Sequence, residues 1–377
     1  MRLSLKASAA GVAALAAVAT ALLGGGAAQA TTGSPAGSDP VGAVFVQTDG
    51  LAGNAIVAYD RNADGTLHWA DTYPTGGLGL QLAGSAVDHL ASQGSLARAG
   101  GSLFAVNAGS NTITSFAIRG DRLVRLQTTG SGGDAPVSIA THDRRVFVLN
   151  ARGGGSIQGY LNVGGLLVKV PAWHRDLGLN PAATPQFVTT PGQIAFTPDG
   201  SKLIVTTKAN TNAFDVFSTA GFGLSASPVV TTVPGTVPFG IQFDAAGHLV
   251  AVEAGPSAIA TFTVNADGSL TQLAWAATGQ AAACWVVVSG AYAYTSNAGS
   301  ASLSGYRLGT VGSLTALGNT ATDPGTVDAA TAGGFLYVQT GATGTVDEFR
   351  MGADGSLTKV GSVLVPDAVG GEGIVAS

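Results

Sequence analysis

Apolar and polar residues alternate with a period of two along most of the chain, in runs of four to eight bounded by Gly, Asn, Asp and Ser. That period places successive side chains on opposite faces of an extended strand, so the pattern predicts β structure rather than helices. The runs repeat as units. Innermost strands are expected at residues 92–96, 136–139, 191–194, 238–241, 284–286, 327–329 and 371–374, which makes seven. A second strand follows each of the first six about ten residues later, at 103–106, 146–149, 203–205, 249–252, 291–294 and 335–338. The seventh second strand, 43–46, lies at the other end of the sequence and has no innermost strand before it. The run at 371–374 has no second strand after it, so the two complete one another. The predicted fold is an all-β, seven-bladed β-propeller of four-stranded blades, spanning residues 41–377. Its last strand would close the ring inside the first blade, leaving only short, protected edges.

The turns agree with this frame. Asp64-Gly65, Asp267-Gly268 and Asp354-Gly355 fall between alternating strands, where tight hairpins need positive φ angles. The first of these turns also has calcium-loop spacing, with Asp60, Asn62 and Asp64 ahead of Gly65 and Asp71 at the twelfth position. Its flanks are strands rather than helices, and turn chemistry alone accounts for it.

The start of the chain departs from the repeat. Arg2 and Lys6, an apolar run over residues 9–23, and Ala28-Gln29-Ala30 have the layout of a cleaved signal peptide, expected over residues 1–30. Residues 31–40 read as a flexible lead-in. The mature protein is therefore expected to be secreted, with no membrane association after cleavage and as a monomer.

Composition narrows the chemistry. Charged residues make up 10% of the chain, and the net charge of −5 comes with no basic stripe, so nucleic-acid binding is not expected. The single cysteine, Cys284, sits in a continuous apolar run and reads as a buried, inert thiol. No nucleophile elbow, phosphate loop or metal-spaced histidine cluster occurs, so neither a cofactor nor a metal is expected.

Chemistry would gather where second strands end and innermost strands begin, around one mouth of the central channel. The second strands end at Thr48, Asn107, Asn150, Lys208, Glu253, Asn297 and Thr340. Lys208 and Glu253 fall on adjacent blades and form a candidate catalytic base and acid, while a structural ion pair would explain them as well. Near the starts of the innermost strands stand Gln93, Ser138, Gln193, Asp328 and Glu372. Two long loops are expected over the same mouth. Residues 71–91 carry His89, and residues 169–190 carry Trp173, His174, Arg175 and Asp176. Asn107, Asn150, Asn297, Gln93, Gln193, Glu372, His89, His174 and Arg175 are the candidate ligand contacts.

The stretch from Pro191 to Gly200, with its Ile-x-Phe-x-Pro-Asp-Gly core, resembles the lactonase-like seven-bladed propellers. So do the recurring Asp-Gly-Ser-Leu turns. That family includes 6-phosphogluconolactonase-type and carboxymuconate-cyclising members. The resemblance spans residues 41–377, and Ser92-Gln93-Gly94 and Val106-Asn107-Ala108-Gly109 look like its secreted bacterial members. It implies lactone opening or formation on a carboxylated small molecule, with a glutamate assisted by histidine and arginine. Glu253 falls at the place of the family's glutamate after a second strand. Where the family has a Pro-His start this chain reads Pro191-Gly192, and where it has Pro-Arg-His this chain reads Pro238-Phe239-Gly240. Cationic help would then come from Lys208, His89, His174 or Arg175. The other reading is a non-catalytic propeller that binds a glycan, peptide or protein at the channel face.

Overall fold

A computed structural model of the chain describes residues 40–377. The expected signal peptide and all but the last residue of the lead-in lie outside the described residues. Seven four-stranded antiparallel sheets follow one another around a ring. Blade 1 comprises Ile374–Ala376, Gly42–Gln47, Ala55–Arg61 and Leu67–Pro74, from the axis outward. Blade 2 runs Leu96–Ala99, Ser102–Asn107, Thr112–Arg119 and Arg122–Gly130. Blade 3 is Pro136–His142, Arg145–Asn150, Ser156–Val163 and Leu166–Asp176. Blade 4 is Gln193–Phe196, Lys202–Thr206, Ala213–Ser218 and Val229–Thr232. Blade 5 is Pro238–Phe243, Leu249–Glu253, Ala258–Val264 and Leu270–Ala277. Blade 6 is Ala283–Ser289, Tyr292–Asn297, Ser302–Leu308 and Leu314–Ala321. Blade 7 is Thr326–Ala332, Phe335–Thr340, Thr345–Met351 and Leu357–Leu364.

The ring closes as the offset repeat predicts. Val44, Phe45 and Val46 pair with Ala376, Val375 and Ile374. The expected innermost strands start up to four residues late in blades 1, 2 and 4, because residues 92–95, 191–192 and 371–373 approach the axis as irregular chain.

The second strands are buried on both faces, so each blade stacks on the next through continuous apolar runs such as Val146–Leu149 and Leu249–Val252. Tyrosines fasten these stacks. Tyr337 of blade 7 donates to the Gly65 carbonyl of blade 1 at 3.0 Å, and Tyr294 of blade 6 donates to the Gly355 carbonyl of blade 7 at 2.8 Å. Their acceptors are the glycines of the Asp-Gly hairpins. Gly65 has φ +92°, and a Cβ there would lie 2.1 Å from the Phe335 ring, so only glycine fits. The calcium-like spacing resolves into turn chemistry: the Asp64 carboxylate accepts the Thr66 N–H and hydroxyl, while Asp60 and Asp71 lie within strands. Tyr337→Phe leaves the Gly65 carbonyl unpaired at the blade joint. It should cost about 1–2 kcal/mol, read as a lower denaturation midpoint at unchanged slope.

The two long loops differ from expectation in their bounds. Asp71 belongs to the outer strand of blade 1, so the first loop covers residues 75–95. Trp173, His174, Arg175 and Asp176 belong to the outer strand of blade 3, and the second loop covers residues 177–192 with the short helix Gln186–Thr189. Alternation explains that strand extension: Trp173 turns inward and stacks on Phe147 at 5.5 Å, while its neighbours face out.

Candidate functional site

Loop 75–95 decides what the channel looks like. It folds inward and ends in a buried turn built by Asp88, whose carboxylate accepts the N–H groups of Leu90, Ala91 and Ser92 at 2.8–2.9 Å. Three such bonds satisfy the N–H groups of a buried turn. The turn delivers Ser92 and Gln93 to the axis. The Ser92 carbonyl accepts the Trp285 indole N–H at 2.7 Å. The Gln93 amide spans the channel to the Val286 backbone, donating to its carbonyl at 2.7 Å and accepting its N–H at 3.1 Å. The mouth expected to be open is plugged.

Lys208 locks the plug. Its ammonium is fully buried and donates to the Ala91 and Phe187 carbonyls at 2.7 Å each and to the Thr190 hydroxyl at 3.2 Å. It thereby ties both long loops to blade 4. It also lies 5.1 Å from the Phe239 ring centroid. The residue has φ +47°, in the left-handed region, a backbone cost of about 1 kcal/mol that these contacts must offset. Burial lowers its pKa to about 7, against the pull of Asp88 and then Cys284. Burial also pushes the Cys284 thiol up to about 12, so it is no nucleophile at neutral pH.

Four buried acids surround the plug. The Glu372 carboxylate accepts the Gly94 N–H at 2.7 Å, and its backbone N–H donates to Asp49 at 2.8 Å. The Asp328 carboxylate accepts the Ala329 N–H at 2.9 Å and lies beside Glu372. Burial raises Asp49 and Asp88 to about 7 and Asp328 to about 6. Burial, then the charges of Asp328, Asp88 and Asp49, hold Glu372 well above the carboxylate range. At neutral pH the Asp328–Glu372 pair therefore retains a proton, because two neighbouring carboxylates in low dielectric cannot both ionise.

Beneath the plug the channel is a well of about 350 Å³. Its walls include Gln93, Arg98, Gln193, Gln242 and Asp328. Arg98 and Ala376 lie toward the far ends of innermost strands, so the well opens on the face of the hairpins between first and second strands. The glutamine orientations follow from the backbone. Gln193 accepts the Ile241 N–H at 2.6 Å and Gln242 accepts the Val288 N–H at 2.7 Å. Only the amide oxygen can accept, so each side chain has its NH₂ group left over beside the well.

The other expected ligand contacts are dispersed. Glu253 accepts the indole N–H of Trp275, on the outer strand of its own blade, at 2.8 Å; burial raises its pKa. No ion pair joins Glu253 to Lys208 among the described residues. Asn107, Asn150 and Asn297 donate to hydroxyls on the third strands of their own blades, Thr112 and Thr114, Ser156, and Ser302 and Ser304. His89 is half-buried against Gly370, with its pKa lowered by burial. His174 pairs with Asp176 on the rim at 3.2 Å, and Arg175 braces the Leu224 and Ser225 carbonyls of blade 4. These two are corrected from a loop over the mouth to an outer strand. Gln93, Gln193 and Glu372 do meet at the axis, joined by Lys208 from above.

Sequence reasoning passed over Asp49, Asp88 and Gln242, which fall outside the strand-end and strand-start positions that it singled out. The glycines were the available clue. At Gly240 a Cβ would lie 2.2 Å from the Gln93 Oε1, and at Gly192 it would lie 3.0 Å from the Thr206 hydroxyl and touch the Lys208 stem at 3.4 Å. The space left where the resemblance implies histidines is filled by Gln93 and Lys208.

Comparison with known proteins places this geometry in context. A family model described as lactonase, 7-bladed beta-propeller, matches residues 79–370. No curated protein sequence matches. A candidate 6-phosphogluconolactonase of known structure from Bacteroides fragilis is 21% identical, with a TM-score of 0.71 over 91% of this chain and 100% of that one. A Lactobacillus plantarum protein is 20% identical, with a TM-score of 0.70 over 89% and 99%. The periplasmic gluconolactonase of Pseudomonas aeruginosa is 18% identical, with a TM-score of 0.70 over 89% and 98%. At these identities the likeness is one of fold.

Proposed function

The chain belongs to the lactonase family of seven-bladed β-propellers, and from that premise we propose that it hydrolyses a small carboxylated lactone in the axial well. The observation that carries this reading is the buried acid Asp328 in the wall of a polar cavity that Gln193 and Gln242 also line. Asp328 lines the well and, when ionised, takes a proton from a water molecule that attacks the lactone carbonyl carbon. Charge then develops on the carbonyl oxygen, and the NH₂ groups of Gln193 and Gln242 are placed to donate to it. Collapse breaks the ring C–O bond, and the proton held on Asp328 passes to the leaving alkoxide, giving the hydroxy acid. Glu372 is a positioning residue: its proton bridges to Asp328 and holds that carboxylate toward the well. Arg98, exposed near the opening, supports recognition of a substrate carboxylate. The basic, apolar and small-residue start of the chain supports secretion, which favours sugar-acid lactones over phosphosugars.

The test is hydrolysis of a lactone panel by the purified protein. Asp328→Asn should lower kcat at least about 100-fold while keeping the native circular-dichroism spectrum, and Glu253→Gln should leave kcat within about twofold. Loss of turnover in Glu253→Gln but not in Asp328→Asn would move the chemistry away from the well. Absence of turnover across the panel would favour the non-catalytic binding reading.

A further inference from the structure

We propose that the opposite face of the ring carries a second site, between blades 3 and 4, that binds a small monocarboxylate through Arg152. A cavity of about 250 Å³ lies there under loop 177–192, with Arg152, Gly153, Gly154, Asn180, Gln186 and Asn210 among its walls. It is smaller than the ~300 Å³ at which drug-sized pockets begin. The well described above opens on the other face, so the two cavities are separate.

The hydrogen-bond inventory gives the ligand's chemistry. Arg152 spends one guanidinium nitrogen on the Gln186 side-chain oxygen at 3.3 Å, while its Nε is buried with no partner. A buried, unpaired guanidinium N–H is costly unless something occupies the space beside it. Gln186 uses its oxygen twice, for Ala83 N–H and Arg152, which leaves its NH₂ group uncommitted. Asn180 accepts the Ala182 N–H through its oxygen, which leaves a second NH₂ group. Asn210 is fully engaged in holding the roof, donating to the Asn180 and Thr189 carbonyls at 3.1 and 2.9 Å and accepting the Asn180 N–H at 3.1 Å. The cavity therefore presents one buried, unpaired donor on a cation, with the uncommitted NH₂ groups of half-buried Gln186 and exposed Asn180 around it. That set matches a carboxylate, which accepts from a guanidinium and neutral amides together. One arginine balances a single negative charge. Asp134, exposed at the edge of the same cavity, would repel a phosphate dianion and accept a ligand hydroxyl. The class indicated is a hydroxylated monocarboxylate.

Isothermal titration with sodium gluconate, with inorganic phosphate and glucose as controls, tests the site. Saturable gluconate binding is expected in the native protein and in Asp328→Asn, with at least a tenfold loss of affinity in Arg152→Met, since one charge-assisted donor is removed. Asn180→Ala serves the same purpose if Arg152→Met does not fold. Gluconate binding that survives Arg152→Met but is lost in Asp328→Asn belongs to the well and overturns the proposal. So does phosphate binding tighter than gluconate, or no saturable gluconate binding at all. Lactone turnover measured separately keeps failure here distinct from failure of the hydrolytic reading.

Discussion

A chain ending at Gly370 is expected to unfold tens of degrees below the full-length protein, or not to fold at all. The deletion removes the innermost strand of blade 1, and with it the pairing of Ile374–Ala376 against Val44–Val46. The Gln47 N–H loses the Gly373 carbonyl, the Ala43 carbonyl loses the Ser377 N–H, and Arg61 loses the Ser377 carbonyl. Ile374 leaves a cluster with Val44, Val46, Tyr337 and Val346. At about 1 kcal/mol per hydrogen bond and 1.5–3 kcal/mol for a buried isoleucine, the loss is on the order of 5–10 kcal/mol. That is comparable to the whole stability of a typical domain. It also uncovers a buried edge at Gly42–Gln47, so aggregation should accompany unfolding. Calorimetry of the truncated chain is the check; a melt superimposable on the full-length one would refute closure through blade 1.

The second large effect is a fall in stability as the medium moves from mildly acidic to neutral. Asp49, Asp88 and Glu348 are raised to about 7, Asp215 and Asp328 to about 6, and Glu372 is raised well above its ordinary value, burial being the first cause in each. In the unfolded chain these carboxyls titrate near 4. Between about 4 and 7 the folded protein holds more protons, so each unit of rising pH favours the unfolded chain. Above about pH 5, where the carboxyls with lowered pKa are ionised folded or unfolded, two groups act the other way: His89, lowered by burial, and Lys208, whose folded value of about 7 returns stability only as pH rises above it. Six acids against one histidine decide the sign. The melting temperature should drop between pH 5 and pH 7, by an amount equivalent to a few kcal/mol. Glu372→Gln keeps an oxygen to accept the Gly94 N–H while removing the charge. It should raise the melting temperature at pH 7.5 and flatten the profile. A profile that is level or rises from pH 5 to 7, or a Glu372→Gln protein with the native slope, would show that the cluster is not desolvated as described.

These two effects meet at Glu372, which joins the closing strand to the axial acids. Its place near the start of an innermost strand marked it, yet neither its partner Asp49 nor the turn-former Asp88 was marked by any repeat. Both sit in connections whose residue types read as ordinary turn chemistry. Lys208 and Glu253 illustrate the opposite error. They were expected at equivalent strand ends on adjacent blades, which suggested a pair. The blade 4 strand instead ends at Thr206 and Lys208 opens the short turn of helix after it, while Glu253 ends its own strand. The side chains diverge, because Lys208 follows carbonyls inward while Glu253 follows the Trp275 indole outward.

The alternation of period two, the Asp-Gly turns and the complementary ends were sufficient to determine seven blades and the strand that joins them. Those signals are local, and each blade is stabilised by neighbours in sequence or in the next repeat. The axis is different. Its chemistry is set where residues from all seven blades and one inward-folding loop converge, with contacting residues as far as 323 positions apart in sequence, as Asp49 and Glu372 are. Only the tertiary structure decided that loop 75–95 plugs one mouth and that the other stays open. Burial there turned ordinary acids and a lysine into groups poised near neutrality, because desolvation depends on what surrounds a charge in space.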